Sequence, residues 1–239
     1  MADPIRLDTF EGASVLLRRT NRKKSISLSI RDGGIVILAP KRVPDREVYD
    51  LMVKKAPWIR SKLAKKATLP HIAERKFVDG DIFLFLGEEY PLRVIDGPEA
   101  KAVLEEGVFV VQARRAHTQE RRARSVRAAF LRWYKEEAET LFTDRTGYYA
   151  DQMAAAPGRI LFRDYKSMWG KCTGQGEITY NWKLVMAPPR IVDYVIVHEL
   201  AHLHHLNHSR DFWDCVEKVI PDHKVRRKWL KDHGQRLTI

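Results

Sequence analysis

The sequence predicts an α+β fold: a strand-rich leading region, then a C-terminal part with a small antiparallel sheet and a buried helix. Three observations predict it. Short alternating apolar runs, punctuated by Gly and Pro, fill the first hundred positions. From about residue 118 the apolar spacing changes to three and four. Arg190 to Leu206 is then apolar almost all round, as in a helix covered on both sides. With 239 residues, 44% hydrophobic and 31% charged, the chain has enough apolar material for a real core, which excludes wholesale disorder and fibrous repeats.

Taken in order, Ser14–Arg18, Ser25–Ile30 and Ile35–Leu38 read as strands, with a hairpin turn at Asp32-Gly33-Gly34. Between Asp45 and Ala67, Val48, Leu51, Met52, Lys55, Ile59 and Leu63 recur at helical spacing around Pro57, which predicts two short helices or one kinked helix. Strands return at Ile82–Leu86, Tyr90–Val94 and Val108–Val111. Thr118 to Tyr149 is a helix with Val126, Phe130, Trp133, Tyr134, Leu141 and Phe142 along one stripe. Residues 163–181 read as a hairpin turning at Gly174-Gln175-Gly176. No internal repeat or low-complexity tract is visible. The expected division is a strand-rich region with a helical insert over 1–115 and a catalytic domain over 116–239, parted by the polar stretch 112–118.

Lys and Arg number 43 against 31 Asp and Glu, a net charge of +12, which favours anionic partners without naming one. The clusters Arg18, Arg19, Arg22, Lys23, Lys24 and Arg114, Arg115, Arg121, Arg122, Arg124, Arg127 read chiefly as solvated faces. Met1 to Phe10 lacks the pattern of a secretory signal and no apolar run nears the ~20 residues of a membrane span, so a cytoplasmic protein is expected. Cys172 and Cys215 are the only cysteines, and no disulfide is expected.

Five of nine histidines fall between 198 and 208. At about 100° per residue, Ile191, Val195, His198 and His202 share one helix face, with Val192, Ile196, Leu200 and Leu203 opposite. Two buried imidazoles one turn apart need a partner that offsets their desolvation, and a metal ion is one. His-Glu-x-x-His places imidazoles at i and i+4 to grip zinc, while Glu199 beside the first can accept a proton from a water the ion activates. His204 projects away, and His205 lies about 10 Å along the axis from His198, too far to share one ion. His208 reaches the site only if the helix ends first. Leu206-Asn207 offers that ending through a left-handed cap, and Ser209 can cap a following helix through Phe212, Trp213 and Val216. His71, His117, His223 and His233 read as surface or structural residues. Trp169-Gly170 fits either a strand whose backbone a substrate approaches closely, or a core tryptophan beside a bulge.

These residues resemble the YgjP-like metal-dependent hydrolases, relatives of the SprT and WLM zinc metallopeptidases of the zincin class. The resemblance rests on Arg163, Trp169-Gly170, Cys172, Asn181, Leu184, Tyr194-Val195, His198-Glu199-Leu200-Ala201-His202, Asn207-His208-Ser209 and Phe212-Trp213, with Arg226 to Leu230 near the end. His223 stands where a tyrosine is expected. The resemblance implies a zincin-like catalytic domain, zinc on His198, His202 and His208, Glu199 as general base, an edge strand containing Trp169-Gly170, and metal-assisted hydrolysis of peptides. The alternatives are hydrolysis of a nucleotide phosphoanhydride at the same site, motivated by Arg163, Lys166 and Lys171, and a nucleic-acid-associated role of the SprT kind, supported by the basic segments.

Overall fold

The computed structural model describes residues 8–22, 25–31, 34–67, 75–115 and 118–239. The chain separates into two compact units, Met1–Ala73 and Glu74–Ile239. The expected Asp32-Gly33 turn, Lys23, Lys24, His71 and His117 lie outside the described residues.

In the first unit, β1 (Thr9–Phe10), β2 (Ala13–Thr20), β3 (Ser27–Arg31) and β4 (Gly34–Pro40) form a sheet of order β1-β2-β4-β3. β2 and β4 run parallel, Val15 opposite Ile35, and the other two pairs are antiparallel. Ile35, Ile37 and Ala39 point from β4 into a core closed by Val48 and Met52 of α1 (Asp45–Lys54) and Ile59 of α2 (Ala56–Ala67). Pro57 sits in the first turn of α2, where its missing N–H costs nothing, so the insert is two helices.

The second unit begins with β5 (Ile82–Phe85), β6 (Glu88–Asp96), β7 (Lys101–Glu105) and β8 (Val108–Ala113) in the order β5-β6-β8-β7. β6 and β8 are again parallel between two antiparallel pairs. Strand order and direction therefore repeat between the units, a duplication of topology that the sequence does not display. The two-residue turns match as well: Glu11-Gly12 and Leu86-Gly87 both have positive φ, as does Glu106-Gly107, the conformation that matches strand twist in tight hairpins. In each the second position is the glycine for which that φ is unstrained.

Thr118 caps α3 (Gln119–Gln152), its side chain accepting from the Arg121 N–H at 3.3 Å. Phe130 packs 4.4 Å from Phe83 and 4.7 Å from Phe109, ring centre to ring centre, so the first half of α3 covers this second sheet. Farther along, Phe142 and Thr146 contact Tyr180 of the C-terminal sheet. One helix thus spans both, and the boundary between units falls at residue 73 and not near 115. The basic start of α3 is largely occupied: Arg115 and Arg122 both pair with Asp96, at 2.6 and 2.9 Å, and Arg114 donates to the Pro98 carbonyl. No helix among the described residues is long and apolar enough to cross a membrane.

The C-terminal sheet is mixed where an antiparallel one was expected. β10 (Gly170–Cys172) and β11 (Ile178–Asn181) form the hairpin, and β9 (Ile160–Arg163) pairs with β11 in parallel. A 3-10 turn at Trp182–Met186 leads to α4 (Pro189–Ala201). The β5–β6 turn pins this junction, since Leu86 and Gly87 donate to the carbonyls of Val185 and Met186 at 2.9 and 3.1 Å. A Cβ on Gly87 would stand 2.8 Å from the Pro188 ring, so only glycine admits the contact. α5 (Arg210–Val219) and α6 (His223–His233) complete the unit.

Candidate metal centre

Every residue of α4 from Ile191 to Val197 is buried, as its unbroken apolar run requires. The helix ends earlier than expected, at Ala201 with His202 as its C-cap, and not at Leu206-Asn207. The Leu200 and Ala201 carbonyls are taken by the N–H groups of Leu203, His204 and His205, which tightens the last turn. Asn207 adopts no left-handed conformation; its side-chain oxygen instead accepts from the Ser209 N–H at 3.2 Å. Ser209 occupies the N-cap position of α5 in extended conformation, without a side-chain cap bond. The early stop lets the chain return and brings His208 to the two helix histidines.

His198, His202 and His208 each present a ring nitrogen, all within 4.8 Å of one another. Nε2 of His198 and of His208 are 3.1 Å apart. Two neutral nitrogens bound at ~2.0–2.1 Å to one tetrahedral ion would sit ~3.3 Å apart. The donor set therefore fits a small divalent metal. His202 Nδ1 lies 3.1 Å from the His205 carbonyl, to which its N–H donates, leaving Nε2 as the free donor. Burial, reinforced by the neighbouring imidazoles, pushes the His198 ring down to about 3 and keeps it neutral, the form a metal requires. Phe212 floors the cluster, its ring centre 4.6–4.9 Å from all three imidazoles. Trp213 stands beside His208 and His198 at 5.7 and 5.8 Å.

Glu199, 5% exposed, points at β10. A Cβ on Gly170 would lie 2.7 Å from the Glu199 Cδ and Cγ, so the carboxylate occupies the space a side chain would fill. Desolvation raises the Glu199 carboxyl to about 8, opposed by a hydrogen bond from the Cys172 backbone N–H. Both earlier readings of Gly170 miss this contact. Neither did spacing single out Asn181, which is buried: its Nδ2 donates to the Tyr165 and Met168 carbonyls at 2.9 and 3.1 Å, and its backbone N–H to Trp169 at 2.8 Å, fixing the approach to β10. In the sequence Asn181 stands out only through the family resemblance, which assigns it no such role.

Of the other expected substrate contacts, Trp169 packs against Gly234, and with Lys166 it lines a cleft of about 430 Å³ that also holds Lys183 and Lys231. Arg163 and Lys171 are exposed, Lys171 on the face of β10 opposite Gly170 and Cys172. His204 takes the far side, bonding the Met153 carbonyl at 3.0 Å. His223 is buried and stacks on Trp213; His233 stacks on Trp229. Both cysteines are free.

No curated protein matches the chain. Among solved structures, the crystal structure of the metallopeptidase zymogen abylysin from Pyrococcus abyssi is similar, 28% identical over 38% of this chain and 93% of that one, with a TM-score of 0.35. A model of the YgjP-like metallopeptidase domain matches residues 24–233, and the chain, with its three convergent histidines and helix-borne glutamate, belongs to that family.

Proposed function

We propose that the chain is a zinc-dependent metallopeptidase in which His198, His202 and His208 hold the ion and Glu199 is the general base. The observation that carries the reading is the convergence of three ring nitrogens within 4.8 Å, with a buried carboxyl on the residue next to the first. Three neutral nitrogen donors leave a fourth position open, as catalytic zinc sites do. The bound ion would supply Lewis acidity, polarising the scissile carbonyl and acidifying the attacking water. Glu199 takes the water's proton at its carboxylate and returns it to the leaving amine nitrogen. Gly170 and the Cys172 N–H hold that carboxylate in one place, and its desolvation strengthens it as a base. β10 lies at the edge of its sheet, the position at which an extended peptide can add as a further strand.

The test compares wild type with Glu199→Gln on casein and on a peptide pool, with nucleoside triphosphates in parallel and zinc measured by elemental analysis. Zinc stays near one per chain in both proteins, while peptide cleavage falls by at least about 10²-fold in the variant. Release of phosphate or pyrophosphate without peptide cleavage would overturn the reading.

A further inference from the structure

We infer that Arg227 positions the substrate at the histidine site and selects peptides bearing a carboxylate side chain near the scissile bond, an inference that rests on the peptidase reading. Arg227 is exposed on α6, its guanidinium carbon 5.1 Å from the centre of the Trp213 ring. That indole is itself held by imidazoles: His223 stacks on it at 5.4 Å and 17°, and His208 at 5.7 Å and 28°. The cation thus rests on a fixed aromatic plate, one ring removed from the metal ligands.

Its neighbours are already engaged. Arg226 pairs with Asp222 at 2.8 Å and donates to the Arg190 carbonyl, and Lys228 pairs with Asp232 at 2.5 Å. Among the described residues no carboxylate pairs with Arg227. The indole beneath it lies 5.7 and 5.8 Å, ring centre to ring centre, from His208 and His198, which sets the cation beside the site. A guanidinium lying on an indole keeps the N–H fork at its edge free, the geometry that binds a carboxylate through two parallel hydrogen bonds. An extended peptide advances about 3.3 Å per residue, which puts a side chain one or two positions from the cut bond opposite a group one ring away from the ligands.

The experiment uses the full zinc-loaded chain carrying Glu199→Gln, and labelled peptides in which one Asp, Ala or Lys is scanned through a common sequence, with binding read by fluorescence anisotropy. The Asp peptide with its acid at the matching position binds at least about tenfold tighter than its Lys counterpart. Arg227→Ala removes that difference, Arg227→Glu reverses it, and Lys228→Ala leaves it alone, all with unchanged zinc. In the wild-type background Arg227→Ala raises KM for the acidic peptide with little change in kcat. Equal binding of Asp and Lys peptides overturns the inference, and so does an Arg227→Ala that weakens all three peptides alike, which is what loss of packing on Trp213 alone would do. Cleavage without acidic preference removes this inference and leaves the peptidase. Arg227-dependent acidic binding without cleavage of any peptide does the opposite.

Discussion

Replacing Gly170 with alanine tests the arrangement of the catalytic carboxylate without touching a ligand or the base itself. The added Cβ would stand 2.7 Å from Glu199 Cδ and Cγ, where ordinary contact begins at 3.4 Å, so one side must yield by about 0.7 Å. β10 is held by its pairing with β11 and α4 is buried from Ile191 to Val197, which leaves the glutamate side chain to move. Displacing a reacting group by ~1 Å costs on the order of 10²-fold in rate, about 2.7 kcal/mol of transition-state stabilisation. The assay is initial-rate kinetics on a peptide the wild type cleaves, beside zinc analysis and thermal melting of each protein. Gly170→Ala lowers kcat about 10²-fold, keeps its zinc, and loses roughly 1–3 kcal/mol of stability through overpacking. Wild-type kcat in this variant, or a loss of activity that tracks a loss of zinc, would refute the reasoning.

Two further predictions follow from other parts of the unit. His208→Ala weakens zinc binding far more than His205→Ala, because His205 supports the site through its backbone carbonyl, which alanine retains; competition against a chelator measures both, and equal losses would remove His208 from the ligand set. Tyr134 and Tyr180 are buried phenols whose pKa burial raises well above the usual 10. In the unfolded chain they ionise near pH 10 while the folded chain keeps both protons, so their contribution is complete below pH 10 and lost as pH rises above it. Two such groups give a slope near 2.7 kcal/mol per pH unit. Melting between pH 9 and 11.5 shows the fall, and Tyr180→Phe lowers the slope by about 1.4 kcal/mol per pH unit; an unchanged slope means Tyr180 ionises in place.

What the sequence displayed was whatever depends on period. The repeat of three and four residues marked α3 and α4, alternation marked most strands, and the spacing of His198 and His202 marked the two helix-borne ligands. β7 escaped because its apolar core is only Ala102-Val103-Leu104, too short to show alternation between charged ends. The end of α4 was misplaced because hydrophobicity continues through Leu203 and Leu206 while the hydrogen bonding stops: what ends a helix is where its carbonyls find partners, and that is set by the turn that carries His208 back. The fit of Gly170 to Glu199 was illegible for a different reason. A glycine announces that a side chain is excluded, never which atom excludes it, and here that atom belongs to a helix twenty-nine positions downstream.

The net charge of +12 is resolved by the same distinction between composition and placement. Several of the conspicuous basic residues serve their own neighbourhoods: Arg19 holds Asp45 and two carbonyls just before α1, Arg115 and Arg122 share Asp96, and Arg127 lies over Phe77. Density of charge in the sequence therefore does not by itself mark the residue whose charge can act on a substrate. Arg227 sits in a run of basic residues whose members 226 and 228 are both paired, yet it alone of the three rests on the indole beside the histidine cluster. A cation contributes to selection when it is held and has no partner of its own, and in this unit an aromatic plate, not an acid, does the holding.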